Sequence, residues 1–124
     1  MPRRTWMMLA ALAGFVAVAV GAFAAHGVSD PAAKEWLKTG STYAFMHAMA
    51  TFACAIFLQL GARRARFAPA LFLPGMVLFS GSLYALAFGA PRWVGAITPL
   101  GGLLFLAGWA TLAWAALEID RAQA

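Results

Sequence analysis

Acidic residues are scarce in this sequence, which has four Asp and Glu residues in 124, none of them within a long apolar stretch. Charged residues of both signs make up 10% of the chain, against about 25% in typical soluble domains. Hydrophobic residues make up 64%, and the mean hydropathy is +0.80. These values exclude an ordinary soluble domain and predict an integral membrane protein.

The missing residue types also exclude most catalytic sites. The single cysteine, Cys54, excludes an intrachain disulfide and a cysteine-based metal cluster. Because the apolar stretches contain no carboxylate, the chain lacks the intramembrane acid of many proton-coupled transporters and the paired carboxylates of acid-base catalysis. The sequence also has no glycine-rich phosphate loop. We therefore predict a protein that is not an enzyme and has no resident cofactor or metal.

Charge-free stretches predict the architecture. Four of them are longer than the roughly 20 apolar residues that cross a bilayer as a helix. The predicted fold is an all-α integral membrane protein, a single transmembrane domain (1–124) with four transmembrane helices in an antiparallel bundle. The expected helices are about 6–26, 42–61, 67–90 and 94–117, and Pro74 and Pro99 predict kinks in the last two.

A short polar segment separates the first two spans. Asp30 followed by Pro31 is typical of a helix start, and Gly40 is typical of a helix end. Apolar residues recur at helical spacing between them with charged residues on the other side, and Trp36 is placed as an interfacial anchor. We expect a short extracytoplasmic surface helix at about 31–38, with a solvated connector as the alternative.

The basic residues indicate orientation rather than nucleic-acid binding, because they flank membrane spans. The ends of the chain and the second connection carry six Lys and Arg residues, whereas the first and third connections carry three. The positive-inside rule then places both termini in the cytoplasm of a bacterial inner membrane. An alternative for the first span is a secretory signal peptide cleaved after Ala22-Phe23-Ala24, although its apolar run is long for one.

Small residues predict where the helices pack, because close backbone approach drives association within lipid. On the second span, the face that carries His47, Ala50 and Cys54 should point into the bundle. On the other spans the predicted contacts are Gly14, Gly21, Gly81, Ala85, Gly89, Gly95 and Gly102.

Polar residues of the spans are concentrated toward the expected outer leaflet. We predict one connected cluster there, closed from above by the surface helix and containing His26, Tyr43, His47, Ser80, Tyr84, Arg92 and Thr98. The favoured interpretation is structural, because hydrogen bonds from His and Tyr fasten helices together in lipid. The alternative is a ligand, proton-handling, haem or metal site that uses His26 and His47.

Four sequence strings resemble those of one family. They are GAFAAHG (21–27), KTGSTYAFMHAMA (38–50), LFSGSLYAL (78–86) and RWVGAITPLGGLLFLAGW (92–109). The chain resembles the domain-of-unknown-function 423 family, also called uncharacterised protein family 0382, of small bacterial inner-membrane proteins. The resemblance implies four membrane helices and no established activity.

The sequence favours a non-enzymatic membrane protein, either an accessory subunit or a lipid-interacting factor. Its expected partners are membrane lipids, and in addition a second copy or another membrane protein, but not nucleic acid. The alternative is a small transporter or a haem- or metal-binding redox protein that uses both histidines.

Overall fold

The computed structural model describes residues 1–121, and the last three residues of the predicted domain lie outside this range. Four helices are long and apolar enough to cross a membrane. Helix α1 is Arg3–Gly27, α2 is Pro31–Gln59, α3 is Pro69–Ala87 and α4 is Thr98–Ala116. Short 3-10 turns at Arg63–Phe67 and Arg92–Ala96 precede α3 and α4. The predicted all-α membrane fold is confirmed.

Local sequence explains several helix ends. The carboxylate of Asp30 accepts a hydrogen bond from the backbone N–H of Ala33 over 3.0 Å, which caps α2 as predicted. Gly61 and Gly89 have φ of +92° and +98°, a conformation that favours glycine. Each lies in a Schellman motif in which the next residue's N–H reaches back to a helix carbonyl, that of Phe57 for α2 and of Ala85 for α3.

Each helix packs mainly on the next one along the chain. Short connections make successive helices antiparallel, so Arg3, Gly61 and Ala116 mark one end of the protein, called here the terminal end. Gly27 and Gly89 mark the opposite end. In the described part of the chain no Cα atom of α1 lies within 8 Å of one in α4, so the backbones of the first and last helices do not close the bundle into a ring.

The predicted surface helix at 31–38 is not a separate element. It forms the first two turns of α2, which continues through Gly40 for 29 residues in all. At 1.5 Å per residue α2 is about 43 Å long, well beyond the roughly 30 Å hydrocarbon core of a bilayer. Gly40 does not end the helix because its missing side chain is needed for packing: a Cβ there would lie 2.7 Å from the ring of Tyr84.

The starts of the last two spans also differ from the prediction. Residues expected in the first turns of helices 3 and 4 form the 3-10 turns instead. Pro69 and Pro99 then occupy the first turns of α3 and α4. Backbone N–H groups in a first turn have no partner within the helix, so the N–H that proline lacks costs no hydrogen bond there. Pro99 therefore helps to start a helix rather than kink one, while Pro74 lies inside α3 as expected.

The predicted glycine contacts are partly wrong. A Cβ added at Gly14, Gly81 or Gly89 would meet nothing within 4 Å, and Gly89 lies in a turn beyond the end of α3. Gly21, Gly95 and Gly102 do face neighbouring helices, at Ser41, Leu86 and Phe79 respectively. Ala85 is only half-buried, and its carbonyl accepts the closing bond of α3.

The tightest helix contacts lie at other glycines. A Cβ on Gly101 would be 2.4 Å from the backbone nitrogen of Phe79, and one on Gly108 would be 2.4 Å from the ring of Phe72. Helices α3 and α4 therefore pack backbone to backbone, the geometry in which small residues stabilise membrane helix pairs.

Candidate functional site

His47 is the centre of the most extensive polar and aromatic cluster in the described residues. It is only 2% exposed, and it lies 16 residues into α2, about 24 Å from the start of that helix. Its Nδ1 is 2.7 Å from the carbonyl oxygen of Tyr43, one turn earlier. Its Nε2 is 3.0 Å from the indole nitrogen of Trp109 on α4.

The two hydrogen bonds determine the tautomer of His47. A carbonyl oxygen only accepts and an indole N–H only donates, so Nδ1 carries the proton and Nε2 offers its lone pair to Trp109. A protonated ring would have hydrogens on both nitrogens and would oppose the indole N–H. The structure therefore fits a neutral imidazole with both nitrogens in use.

Aromatic rings enclose this histidine. Phe105 stacks on its face, with ring centroids 3.5 Å apart and planes within 7°. The ring of Phe72, on the third helix of the cluster, has its centroid 5.6 Å from that of His47. The ring of Trp109 meets the histidine edge-on and completes the enclosure. Since α2, α3 and α4 each supply a ring, the cluster fastens three helices together.

This arrangement does not suit a metal or haem ligand. A ligand needs the Nε2 lone pair that Trp109 already occupies. Within residues 1–121, no group of three or more His, Cys, Asp or Glu side chains is placed to hold a metal ion. Through these contacts His47 joins α2 to α4.

Hydroxyl groups nearer the opposite end connect neighbouring helices through hydrogen bonds to backbone carbonyls or to each other. Ser41 of α2 donates to the carbonyl of Ala17 on α1. Ser80 of α3 donates to the carbonyl of Gly40 over 2.7 Å, and Ser82 bonds to the hydroxyl of Thr98. Every adjacent pair of helices thus shares at least one hydrogen bond. These bonds satisfy polar groups that have no water to bind within lipid.

Tyr84 is a partial exception among these polar groups. Its ring packs on Gly40, but its hydroxyl is buried and has no hydrogen-bond partner among the described residues. It lies beside the Ser80–Gly40 bond, so Ser80 and Tyr84 do share one location at the α2–α3 contact.

The structure does not bring the seven predicted polar residues into one cluster, and that prediction is wrong. His26 is exposed at the end of α1. The Ser41–Ala17 bond sets the register of α1 on α2, and in this register His26 and His47 lie about 20 Å apart along the helix axis. The two histidines do not meet because α2 starts at Pro31, which puts His47 deep in its helix rather than in its outer turns.

The remaining members of the predicted cluster are also dispersed. Arg92 is exposed and forms no side-chain hydrogen bond with the described residues. Thr98 pairs with Ser82, while Tyr43 contributes its carbonyl to His47 and packs its ring 4.8 Å from that of Phe79. Trp36 is half-buried in the second turn of α2, where its role as an interfacial anchor stays a prediction.

A clasp of charged groups closes the terminal end. The backbone N–H of Arg64 donates to a carboxylate oxygen of Glu118 over 2.7 Å, and the guanidinium lies 3.6 Å from the same oxygen. The guanidinium also bonds to the carbonyl of Trp114 and lies 4.3 Å over its ring. The clasp ties the turn before α3 to the end of α4.

Among the described residues, three grooves on the outer faces of the helices stand out. One of about 340 Å³ lies among α1, α2 and α3 beside Gly81 and Tyr84, and one of about 520 Å³ lies on α2, α3 and α4 above His47. A third of about 390 Å³ runs between α1 and α2 near the opposite end. The first two are almost wholly apolar, whereas Lys38, Ser41 and Thr42 line the third.

Sequence reasoning missed Trp109 and the Arg64–Glu118 pair. Trp109 carried a usable signal, because tryptophan inside a span rather than at an interface needs a partner for its N–H. Glu118 carried another, since it follows the last apolar stretch at the same end as the arginine-rich connection.

Comparisons with known proteins identify similar sequences. The model of a family described as "Protein of unknown function (DUF423)" matches residues 20–102. The chain is 44% identical over 119 residues to the "UPF0382 membrane protein" of Haemophilus influenzae, covering 94% of this chain and 96% of the relative. It is 40% identical over 125 residues to the "UPF0382 inner membrane protein YgdD" of Escherichia coli K12, covering 98% and 95%. A "UPF0382 membrane protein" of Staphylococcus epidermidis is 36% identical over 118 residues, covering 93% and 97%. No solved structure matches the chain.

Proposed function

Because the chain belongs to the family described as "Protein of unknown function (DUF423)", whose named relatives are membrane proteins, we propose that it is a non-enzymatic integral membrane protein that binds membrane lipids in its grooves. The proposed role is that of a lipid-interacting factor, not of a transporter or redox protein.

One observation carries the proposal: the buried polar side chains other than Tyr84 form hydrogen bonds within the protein, and open space faces the lipid. His47, Ser41, Ser80 and Ser82 all have hydrogen-bond partners on another helix or in their own backbone. The three grooves, by contrast, open between helices that do not close into a ring. Grooves of this size and apolar lining suit acyl chains.

The geometry of the histidines argues against the alternative function. A redox or metal site shared by His26 and His47 requires the two side chains to meet, and they lie at different depths in the membrane. The engaged Nε2 of His47 also removes the lone pair that a haem or metal would need. A lipid-binding role needs neither group.

The proposed orientation places the terminal end in the cytoplasm. That end carries six Lys and Arg residues and the opposite end three, and such a bias sets the topology of short membrane proteins. Reporter fusions after Arg64 and at the C-terminus test it: both should report cytoplasm, and an extracytoplasmic C-terminus would reverse the assignment.

Thermal unfolding with added lipid tests the lipid-binding function. The protein is purified in mild detergent, stripped of lipid, and melted with and without each phospholipid of the bacterial membrane. Ligand that binds only the folded state raises its stability, so at least one lipid should raise the Tm in a saturable way. A Tm that no lipid changes beyond the effect of extra detergent would contradict the function.

A further inference from the structure

The groove between α1 and α2 differs from the other two, because a lysine stands at one end of it and apolar side chains lie at the other. Lys38, Thr42 and Phe45 follow one another along one side of α2, and Val18 and Gly21 of α1 face them. We propose that this groove binds one phospholipid, with the phosphate beside Lys38 and an acyl chain between Val18 and Phe45. The inference rests on the proposed lipid-binding function and specifies where and how the lipid binds.

The position of Lys38 matches the depth of a phosphate group. Twenty-one residues separate Lys38 from Gln59 at the other end of α2, a rise of about 32 Å. This distance is close to the roughly 30 Å thickness of the hydrocarbon core. When Gln59 lies at one boundary of that core, Lys38 lies at the other, where its long side chain can reach the lipid phosphates.

Charge complementarity favours an anionic group at this point. Lys38 is exposed, and it forms no ion pair within residues 1–121, where the one ion pair joins Arg64 to Glu118. An ammonium group at the membrane surface attracts phosphate, and each such lysine contributes measurably to the binding of anionic lipid.

Thr42 supplies a second polar contact one turn deeper. Thr51 and Thr111 each donate to the carbonyl four residues earlier, over 2.7 Å and 2.8 Å, so their hydroxyls are paired within their own helices. The exposed hydroxyl of Thr42 has no hydrogen-bond partner in the described part of the chain. At this depth it can donate to a lipid ester carbonyl, whereas Ser41 beside it is already bonded to Ala17.

The deeper part of the groove is shaped for a chain. Gly21 lets α1 approach Ser41 closely, since a Cβ there would lie 3.2 Å from its hydroxyl oxygen. Val18 and Phe45 rise on either side of that contact and are 62% and 48% exposed. A flexible acyl chain fits between two such apolar side chains.

Native mass spectrometry of the full chain released from detergent, with phosphatidylglycerol as the titrated lipid, tests the site. Lys38→Gln should weaken the binding of the first lipid about fivefold, and Lys38→Arg should restore it. Lys34→Gln is the matched control, because Lys34 lies one turn away and does not line the groove. Thr42→Val should weaken binding about twofold to threefold, while Thr39→Val should leave it unchanged.

The outcomes separate this site from the general function. If the protein binds phosphatidylglycerol but Lys38→Gln matches the parent, or Lys34→Gln weakens binding equally, the lipid binds elsewhere and only this inference is overturned. If no lipid binds at all, the proposed function fails with it. Glycerol 3-phosphate, which lacks acyl chains, should not displace the lipid; displacement at equal concentration would identify a simple phosphate site and contradict the proposal.

Discussion

The indole N–H of Trp109 on α4 donates to Nε2 of His47 on α2 over 3.0 Å, although the two helices make few other contacts. Through this bond a tryptophan inside the membrane determines the tautomer of a buried histidine. Because each group satisfies the other in a place without water, removing one partner leaves the other unpaired.

The first prediction concerns this pair. Trp109→Phe keeps an aromatic ring but removes the donor, and it should lower the free energy of unfolding by about 1–3 kcal/mol. His47→Leu should cost a similar amount, whereas His47→Gln should cost less because it keeps a side chain that forms hydrogen bonds. Unfolding in detergent measures all three.

The double variant Trp109→Phe, His47→Leu is the control for coupling. Removing both partners should cost about 1 kcal/mol less than the sum of the single changes. Strictly additive effects would show that the two side chains do not interact.

A second prediction is that His47 binds neither metal nor haem. Zinc or haemin titrated into the purified protein should give the same signal for the parent and for His47→Gln, because the lone pair of Nε2 is engaged. Absorption spectra and metal analysis are the measurements. A haem band or a bound metal that disappears in His47→Gln would instead identify a ligand site.

The third prediction contrasts two glycines on adjacent helices. Gly101→Ala should lower the free energy of unfolding by about 1–3 kcal/mol, because the new Cβ would lie 2.4 Å from the backbone of Phe79. Gly81→Ala is the matched control and should leave stability unchanged or slightly raised, since nothing lies within 4 Å. Equal losses for the two variants, measured by thermal unfolding, would show that the α3–α4 contact is not this close.

The fourth prediction concerns the clasp at the terminal end. Glu118→Gln keeps an oxygen for the backbone N–H of Arg64 but removes the ion pair, so it should lower stability by up to about 1 kcal/mol. Salt should reduce the difference from the parent. Asp120→Asn removes the same charge at an exposed neighbour whose φ of +73° Asn also adopts, so it should not lower stability. If the two variants melt alike at low salt, the clasp does not stabilise the protein.

Much of the fold followed from simple physical rules. The lack of charge over four long stretches predicted four spans, and Asp30 with Pro31 predicted a helix start, which the structure has as the start of α2 rather than of a separate surface helix. The end of the predicted surface helix was wrong, because Gly40 looks like a helix end in sequence but serves a close contact with Tyr84. Local sequence does not distinguish these two uses of glycine.

The polar site was harder to predict, because the depth of a side chain in the membrane depends on where its helix begins. Moving the start of α2 from about residue 42 to Pro31 separates His47 from His26 and places it beside Trp109 instead. The partner comes from α4, 62 residues away, and no spacing in the sequence indicates which faces of α2 and α4 meet. The same holds for Gly101, whose contact depends on the packing of α3.

The most direct test of the lipid-binding function is the composition of the lipid that stays with the protein. The protein is extracted from bacterial membranes in polymer-bounded discs, washed through graded detergent, and its residual lipid is compared with that of the bulk membrane by mass spectrometry. The account predicts that a phospholipid is retained at about one molecule per chain and enriched over its share of the membrane. Residual lipid that matches the bulk composition and washes out completely would contradict it.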